Sequence, residues 1–174
     1  MTLSIRPSEA ADLPALTRIY AHAVTHGTAS FELTPPDEAE MARRRDAILA
    51  GGYPHIVAVQ DGEVAGYAYA SAFRPRPAYR FTVEDSVYVD PEHQGKGIGS
   101  ALLRALVAAC EERGYRQMIA VIGDSASLGS IRLHQQTGFA HAGRLPSVGF
   151  KHEAWRDIIL MQRALGEGDA TPPE

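Results

Sequence analysis

Residues 87–103 read VYVDPEHQGKGIGSALL. Val87-Tyr88-Val89 is an apolar run of strand type that stops at Asp90-Pro91. A short charged stretch leads into glycines at alternate positions, Gly95, Gly97 and Gly99, and the chain then turns helical. Glycine at a helix start is costly unless something must come close to the backbone. A strand feeding a glycine-rich loop that opens a helix points successive N–H groups outward, at the positive end of the helix dipole. Such a loop cradles an anion, and Lys96 can add a charge-assisted contact or remain solvated. A Walker loop, G-x-x-x-x-G-K-[S/T], is excluded because that spacing does not occur. The dinucleotide fingerprint G-x-G-x-x-G also fails, because Ser100 stands where its last glycine should be.

The 174 residues suit a single domain with a full hydrophobic core, expected over 1–165. The tail 166–174, GEGDATPPE, is expected to be disordered. Net charge is −4, from 17 basic and 21 acidic residues, so no nucleic-acid partner is expected. No apolar run approaches the ~18 residues that span a bilayer, so no membrane association is expected. The first residues, MTLSIRPSEAADLP, lack the pattern of a secretory signal. One cysteine, Cys110, makes no internal disulfide, and a cytoplasmic location is the simplest expectation. Cys110 lies in an apolar helical stretch, where it reads as a small core residue rather than a nucleophile.

Outward from the opening stretch, periodicity predicts alternating elements. Leu3–Arg6 is a first strand, and Asp12 can cap a helix through Leu13, Leu16, Tyr20, Ala23 and Val24. Asp37 can cap a second helix that runs to Ala50 and stops at Gly51-Gly52. His55–Gln60 and Glu63–Ala72 flank Asp61-Gly62, a hairpin turn pair. A strand through Asp90 precedes the glycines. The helix from about Ile98 to Arg113 presents Ile98, Ala101, Leu102, Ala105, Leu106 and Ala109. Gln117–Gly123 (QMIAVIG) reads as a strand buried on both faces. A short helix, Ser127–Thr137, and two strands, from Phe139 and over Asp157–Leu165, complete the chain. The pattern is α+β, a mixed and mostly antiparallel sheet flanked by helices in three layers.

Gln94-Gly95-Lys96-Gly97-Ile98-Gly99 resembles the Q/R-x-x-G-x-G/A segment of the GCN5-related N-acetyltransferase (GNAT) superfamily. The resemblance runs from roughly Ile5 to Gln162. FRPRPAYRFTVEDSVYVDPEHQGKGIG, IGDSASLGSIRLHQQTGF and GFKHEAWRDIILMQ, in that order, are similar to the phosphinothricin and methionine-sulfoximine acetyltransferase subfamily. It implies the GNAT fold, with acetyl-CoA in a cleft between central strands as co-substrate and no metal. The glycine loop, Gln94 to Ser100, would hold the pyrophosphate. Val87, Tyr88 and Val89 would pair through their backbone with the pantetheine arm and supply N–H donors to the developing oxyanion. Ser127 and Ser130 would contact the arm as well. Ser127 departs from the subfamily, which usually has Asn there, and a hydroxyl reaches less far.

The implied reaction is attack of a primary amine on an acetyl thioester. Glu84, just ahead of the strand that feeds the loop, is the candidate general base. Adjacent strand residues point to opposite faces, so only one of Glu84 and Asp85 readily faces the amine, and the resemblance selects Glu84. His134 stands where many superfamily members place a Tyr proposed to protonate the leaving thiolate. An imidazole can do this at neutral pH, or can serve as a cofactor ligand or a packed residue. Arg74 and Arg76, on a loop stiffened by Pro75 and Pro77, suit a substrate carboxylate. Phe31, Tyr79, Asp85 and Ser86 match subfamily positions near the substrate, and Phe31 and Tyr79 could equally be packing residues. Lys151, His152 and Trp155 match it near the pocket or a dimer contact. His22 and His26 are i and i+4 on a helix without an evident third metal ligand.

Together these imply an acetyl-CoA-dependent N-acetyltransferase of the α-amine of phosphinothricin, methionine sulfoximine or methionine sulfone, acting by direct transfer. A homodimer is implied too. The alternatives are another amine (a polyamine, an aminoglycoside or a protein N-terminus) or an acetyl-CoA-binding module without turnover.

Overall fold

A computed structural model describes residues 2–173; Met1 and Glu174, the ends of the expected domain and tail, lie outside the described residues. The strands are β1 (Leu3–Pro7), β2 (His55–Gln60), β3 (Glu63–Ala72), β4 (Thr82–Val89), β5 (Gln117–Gly123), β6 (Ala140–Lys151) and β7 (Ala154–Ala164). The helices are α1 (Leu13–His26), α2 (Glu38–Ala50), α3 (Ile98–Glu112) and α4 (Leu128–Gln136). Among the described residues the strands form one sheet in the order β1-β2-β3-β4-β5-β7-β6. Only β4 and β5 run parallel; every other neighbour pair is antiparallel. The expected α+β architecture is present.

Alternation along the strands sends side chains to two separate cores. One lies beneath α3 and takes Val83, Ala120, Ile122 and Met161 together with Ile98, Leu102 and Leu106. The other takes Val57 and Tyr67 together with Leu16, Ile19, Tyr20 and Val24 of α1 and Met41 of α2. Within β4 the odd positions Val83, Val87 and Val89 meet the first core, and Tyr88 meets the second. This alternation decides which neighbour of each pair on β4 reaches which side of the molecule.

Three sequence expectations need correction. The stripe of α3 that contacts the sheet is Ile98, Leu102, Leu103, Leu106, Val107 and Cys110, while Ala101, Ala105 and Ala109 are half-buried at its edge. Larger side chains bury more apolar area, so they and not the alanines set the rotation of the helix. Cys110 is fully buried, and burial pushes its thiol up to about 12, as befits a core residue. Asp12 does stand at the N-cap of α1, but its carboxylate does not cap that helix. It accepts from Glu9 N at 2.7 Å and from both terminal nitrogens of Arg6 at 2.8 Å. A bidentate guanidinium outcompetes a single backbone N–H. Asp37 caps α2 as expected, accepting from Glu40 N at 2.8 Å. The segment after Leu165, for which disorder was expected, is drawn to the body by Arg116, which donates to Gly168 O and Pro172 O.

Candidate active site

The site originates in a mismatch of partners along β4. Its β3 side is paired along the strand, from Val83 opposite Ala72 to Val89 opposite Gly66. Its β5 side is paired only over Thr82–Glu84, against Gln117–Ile119. From Asp85 onward that edge of β4 has no partner strand, while β5 continues to Gly123 held by β7. The two strands therefore part, and a cleft of ≈ 1220 Å³ opens between them. Unpaired N–H and C=O groups along an edge accept an extended amide-containing arm as an added strand.

At the far end of β4 the glycine loop closes the cleft. Asp90 Oδ1 accepts from Glu92 N at 3.0 Å and starts the short 3-10 turn Pro91–His93. Gly95 and Gly97 adopt φ of 74° and 80°, and Gly97 is the N-cap of α3. Those angles are strained for a residue with a Cβ. Gly99 has a different reason: a Cβ there would lie 3.3 Å from Leu133 Cδ2, so the residue allows α4 to approach α3. The first intrahelical bond is Ala101 N to Gly97 O, which leaves the N–H groups of Ile98, Gly99 and Ser100 free to face an anion. Gln94, Gly95, Gly97, Ile98, Gly99 and Ser100 line the cleft. Lys96 does not; its Nζ donates to Glu92 O at 2.9 Å, in solvent. The ammonium is therefore a clasp on the turn, and the anion is left to backbone amides.

Glu84 and Asp85 point to opposite faces, as alternation requires. Glu84 is half-buried and lines the cleft. Burial chiefly, and then the neighbouring Asp85 charge, hold its carboxyl above the ordinary value, against the pull of Arg74. That is the direction a general base near neutral pH needs. Asp85 is buried, and its Oδ2 lies 2.9 Å from His134 Nε2. His134 Nδ1 lies 2.7 Å from Ser130 O. A carbonyl can only accept, so Nδ1 carries hydrogen. Both ring nitrogens of His134 are thus engaged within the protein, and the Asp85 carboxylate is turned away from the amine side. Ser86 shares a side-chain hydrogen bond with Tyr69 and lines the cleft on the Glu84 face.

Val87, Tyr88 and Val89 line the cleft, with the Tyr88 ring packed 5.1 Å from Tyr20 and 5.3 Å from Tyr67, centroid to centroid. Ser127 and Ser130 line the opposite wall. Ser127 donates its hydroxyl hydrogen to Gly123 O at 2.8 Å, so only its lone pairs remain for a ligand.

The other substrate candidates stand back from the cleft walls. The Arg74 guanidinium lies over the Phe73 ring at 5.1 Å, close enough for its charge to reach Glu84. Arg76 is exposed ahead of the 3-10 turn Pro77–Tyr79, and Tyr79 packs edge-on against Phe73. Phe31 packs against two glycines: a Cβ at Gly149 would come within 2.4 Å of its ring, and one at Gly123 within 2.9 Å. Lys151 is buried and donates to Ser30 O at 2.6 Å, and His152 Nε2 lies 3.1 Å from Gly27 O, so both pin the α1–α2 connection. Trp155 is 66% exposed beside Phe150. His22, His26, Thr28, His93, Arg132 and Gln136 line the cleft without having been assigned to it. The i, i+4 spacing of His22 and His26 on α1 was the available signal, but it could not say which way that helix face turned. Among the described residues no group of three or more metal-ligating side chains occurs.

A splayed parallel pair, an amide-lined helix start and a raised carboxyl beside them fit a thioester cofactor with an amide arm and a pyrophosphate. Residues 15–139 match the family described as Acetyltransferase (GNAT) family. The chain belongs to that family, and it is an N-acetyltransferase with acetyl-CoA as co-substrate. Within the family it is 55% identical to the phosphinothricin N-acetyltransferase of Alcaligenes faecalis, over 94% of this chain and 83% of that one. It is 41% identical to the L-methionine sulfoximine/L-methionine sulfone acetyltransferase of Pseudomonas paraeruginosa, over 99% of this chain and all of that one. A crystal structure of a phosphinothricin acetyltransferase from Sinorhizobium meliloti in complex with AcCoA superposes with a TM-score of 0.97 at 54% identity, covering 100% of this chain and 94% of that one.

Proposed function

We propose that this enzyme acetylates the α-amine of small amino-acid-like molecules of the phosphinothricin, methionine sulfoximine and methionine sulfone type. The observation that carries the reading is Glu84, half-buried with a raised carboxyl where β4 leaves β5. Glu84 takes the proton from the attacking amine, directly or through water. The free β4 edge over Val87–Val89 donates N–H groups to the carbonyl oxygen as it gains charge. Gln94, Gly95, Gly97, Ile98, Gly99 and Ser100 hold the pyrophosphate end, and Ser127 and Ser130 border the arm. Transfer is direct, because the buried Cys110 thiol is unsuited to form an acyl-enzyme. Arg74 and Arg76, on the exposed loop before β4, receive the substrate carboxylate.

The same proposal includes a homodimer in the cytoplasm. Phe150 and Trp155, more than half exposed and packed on each other, offer an apolar face to a second copy. Acetylating phosphinothricin would confer herbicide resistance. Thiol release from acetyl-CoA, measured against a panel of amines, tests the reading. Turnover of phosphinothricin, methionine sulfoximine and methionine sulfone well above that of polyamines, aminoglycosides and peptides is expected. Preference for a polyamine or a peptide would reject it, and CoA binding without any turnover would make the chain a binding module.

A further inference from the structure

The Asp85–His134 contact has no place in amine deprotonation or in amide pairing along β4, yet both residues border the cofactor cleft. Its position in the fold is specific. Glu84 opposite Ile119 is the last parallel pair, so Asp85 is the first residue beyond the point where β4 and β5 part. On one side β4 is held by β3. On the other, α4 follows β5, from which Ser127 Oγ bonds back to Gly123 O. The contact therefore joins the two walls of the cleft where the strands begin to part, across 49 residues of chain. Both side chains are buried.

We propose that Asp85 is a positioning residue whose hydrogen bond to His134 ties β4 to α4 and thereby sets the width of the cleft and its affinity for acetyl-CoA. The proposal rests on the acetyl-CoA assignment and adds a determinant of that site. Chemistry makes the tie depend on charge. His134 Nδ1 must carry hydrogen, because it faces the Ser130 carbonyl. Bonding to an ionised Asp85 then needs hydrogen on Nε2 as well, so the ring is an imidazolium. Asp85 Oδ1 is buried without a hydrogen-bond partner, so the carboxylate depends on that one N–H.

The surroundings offer no substitute. From α3 the nearby ionisable group is Cys110, whose buried thiol stays neutral. Glu84 lies on the other face of β4. Phe139 stands edge-on at 5.0 Å and supplies no charge. Burial alone would lower the His134 pKa, but the Asp85 hydrogen bond and charge, with the Ser130 carbonyl, raise it overall. A raised pKa means that the tie is intact below the ordinary histidine range and is lost as pH rises through the raised value. Above it, the neutral ring keeps its Nδ1 hydrogen and turns an Nε2 lone pair toward the carboxylate.

The test is CoA affinity by titration calorimetry, without amine, from neutral to alkaline pH, for wild type and Asp85→Asn. Wild type should weaken about tenfold or more as His134 deprotonates, the scale of one charge-assisted hydrogen bond. Asp85→Asn should show a flat profile, because its amide N–H can donate to the neutral Nε2. The ligand's own titration is common to both proteins and cancels in the comparison. Nitrogen NMR of the His134 ring should show both nitrogens protonated at neutral pH in wild type, a signature that packing alone does not require. A flat wild-type profile, an unchanged profile in Asp85→Asn, or a neutral ring at neutral pH would each overturn the proposal. So would a loss confined to kcat with CoA affinity unmoved, which would assign the pair to the chemistry instead. Absence of CoA binding at every pH would instead strike at the cofactor assignment itself and take the proposal with it. Asp85→Ala, checked for folding by its melting temperature, should bind CoA more weakly at neutral pH than either.

Discussion

Arg18 Nη1 lies 2.5 Å from Asp90 Oδ2, joining α1 to the residue that ends β4 and begins the glycine loop. Asp90 is 2% exposed, and its other oxygen caps the turn through Glu92 N. One carboxylate thus sets both the start of the loop and its distance from α1. Asp90→Ala should destabilise the fold by about 1–2 kcal/mol through loss of the cap, seen as a Tm fall of about 2–8 °C. It should also raise KM for acetyl-CoA more than KM for the amine. Equal effects on the two substrates would mean that the loop is ordered without Asp90.

Glu84→Gln keeps the shape of the residue and removes the base. Turnover should fall by about 10²- to 10⁴-fold, the usual range for one positioned base, with acetyl-CoA binding little changed. The sign of the pH effect follows from the raised carboxyl: the base works above its pKa and is lost as pH falls through it. The acid limb of the wild-type pH–rate profile should therefore lie above 4.5, the ordinary value for Glu, and should disappear in the variant. A variant that retains the limb would remove Glu84 from this role.

Arg76 is exposed, and its contact with the following turn is made by its backbone carbonyl, which accepts from Tyr79 N and is kept in an alanine variant. Arg76→Ala should raise KM for amino-acid substrates about tenfold, the scale of one hydrogen bond to a charged group, with acetyl-CoA affinity and Tm unchanged. The effect should vanish for an amine that lacks a carboxylate. If KM for amino acids stays put, the carboxylate is held elsewhere.

Gly123 ends β5 beneath the α1–α2 connection. A Cβ there would sit 2.0 Å from Thr28 O, a backbone atom that cannot swing aside. Gly123→Ala should cost about 1–3 kcal/mol as overpacking and should displace the segment around Thr28 from the cleft wall. Thermal denaturation and KM for acetyl-CoA measure the two effects; a fully stable variant would show that the connection is free to shift.

The stretch 87–103 by itself determined a strand, an anion-binding loop and a helix, because each rests on local rules of alternation, positive φ and helix dipole. Gly95 and Gly97 satisfy those rules directly, and the superfamily was legible from them. Where Lys96 goes was not legible, because a flexible ammonium takes whichever acceptor folding leaves near it, in this case Glu92 O. The rotation of α3 escaped for a related reason: the sheet, not the helix, selects which of two adjacent apolar stripes is buried. Phe31 on Gly123 and Gly149, Lys151 on Ser30 O, and Asp85 on His134 join residues far apart in the chain. Only the tertiary structure decided them, because such contacts depend on how β4 and β5 part, and that geometry is the outcome of packing two cores on opposite faces of one sheet.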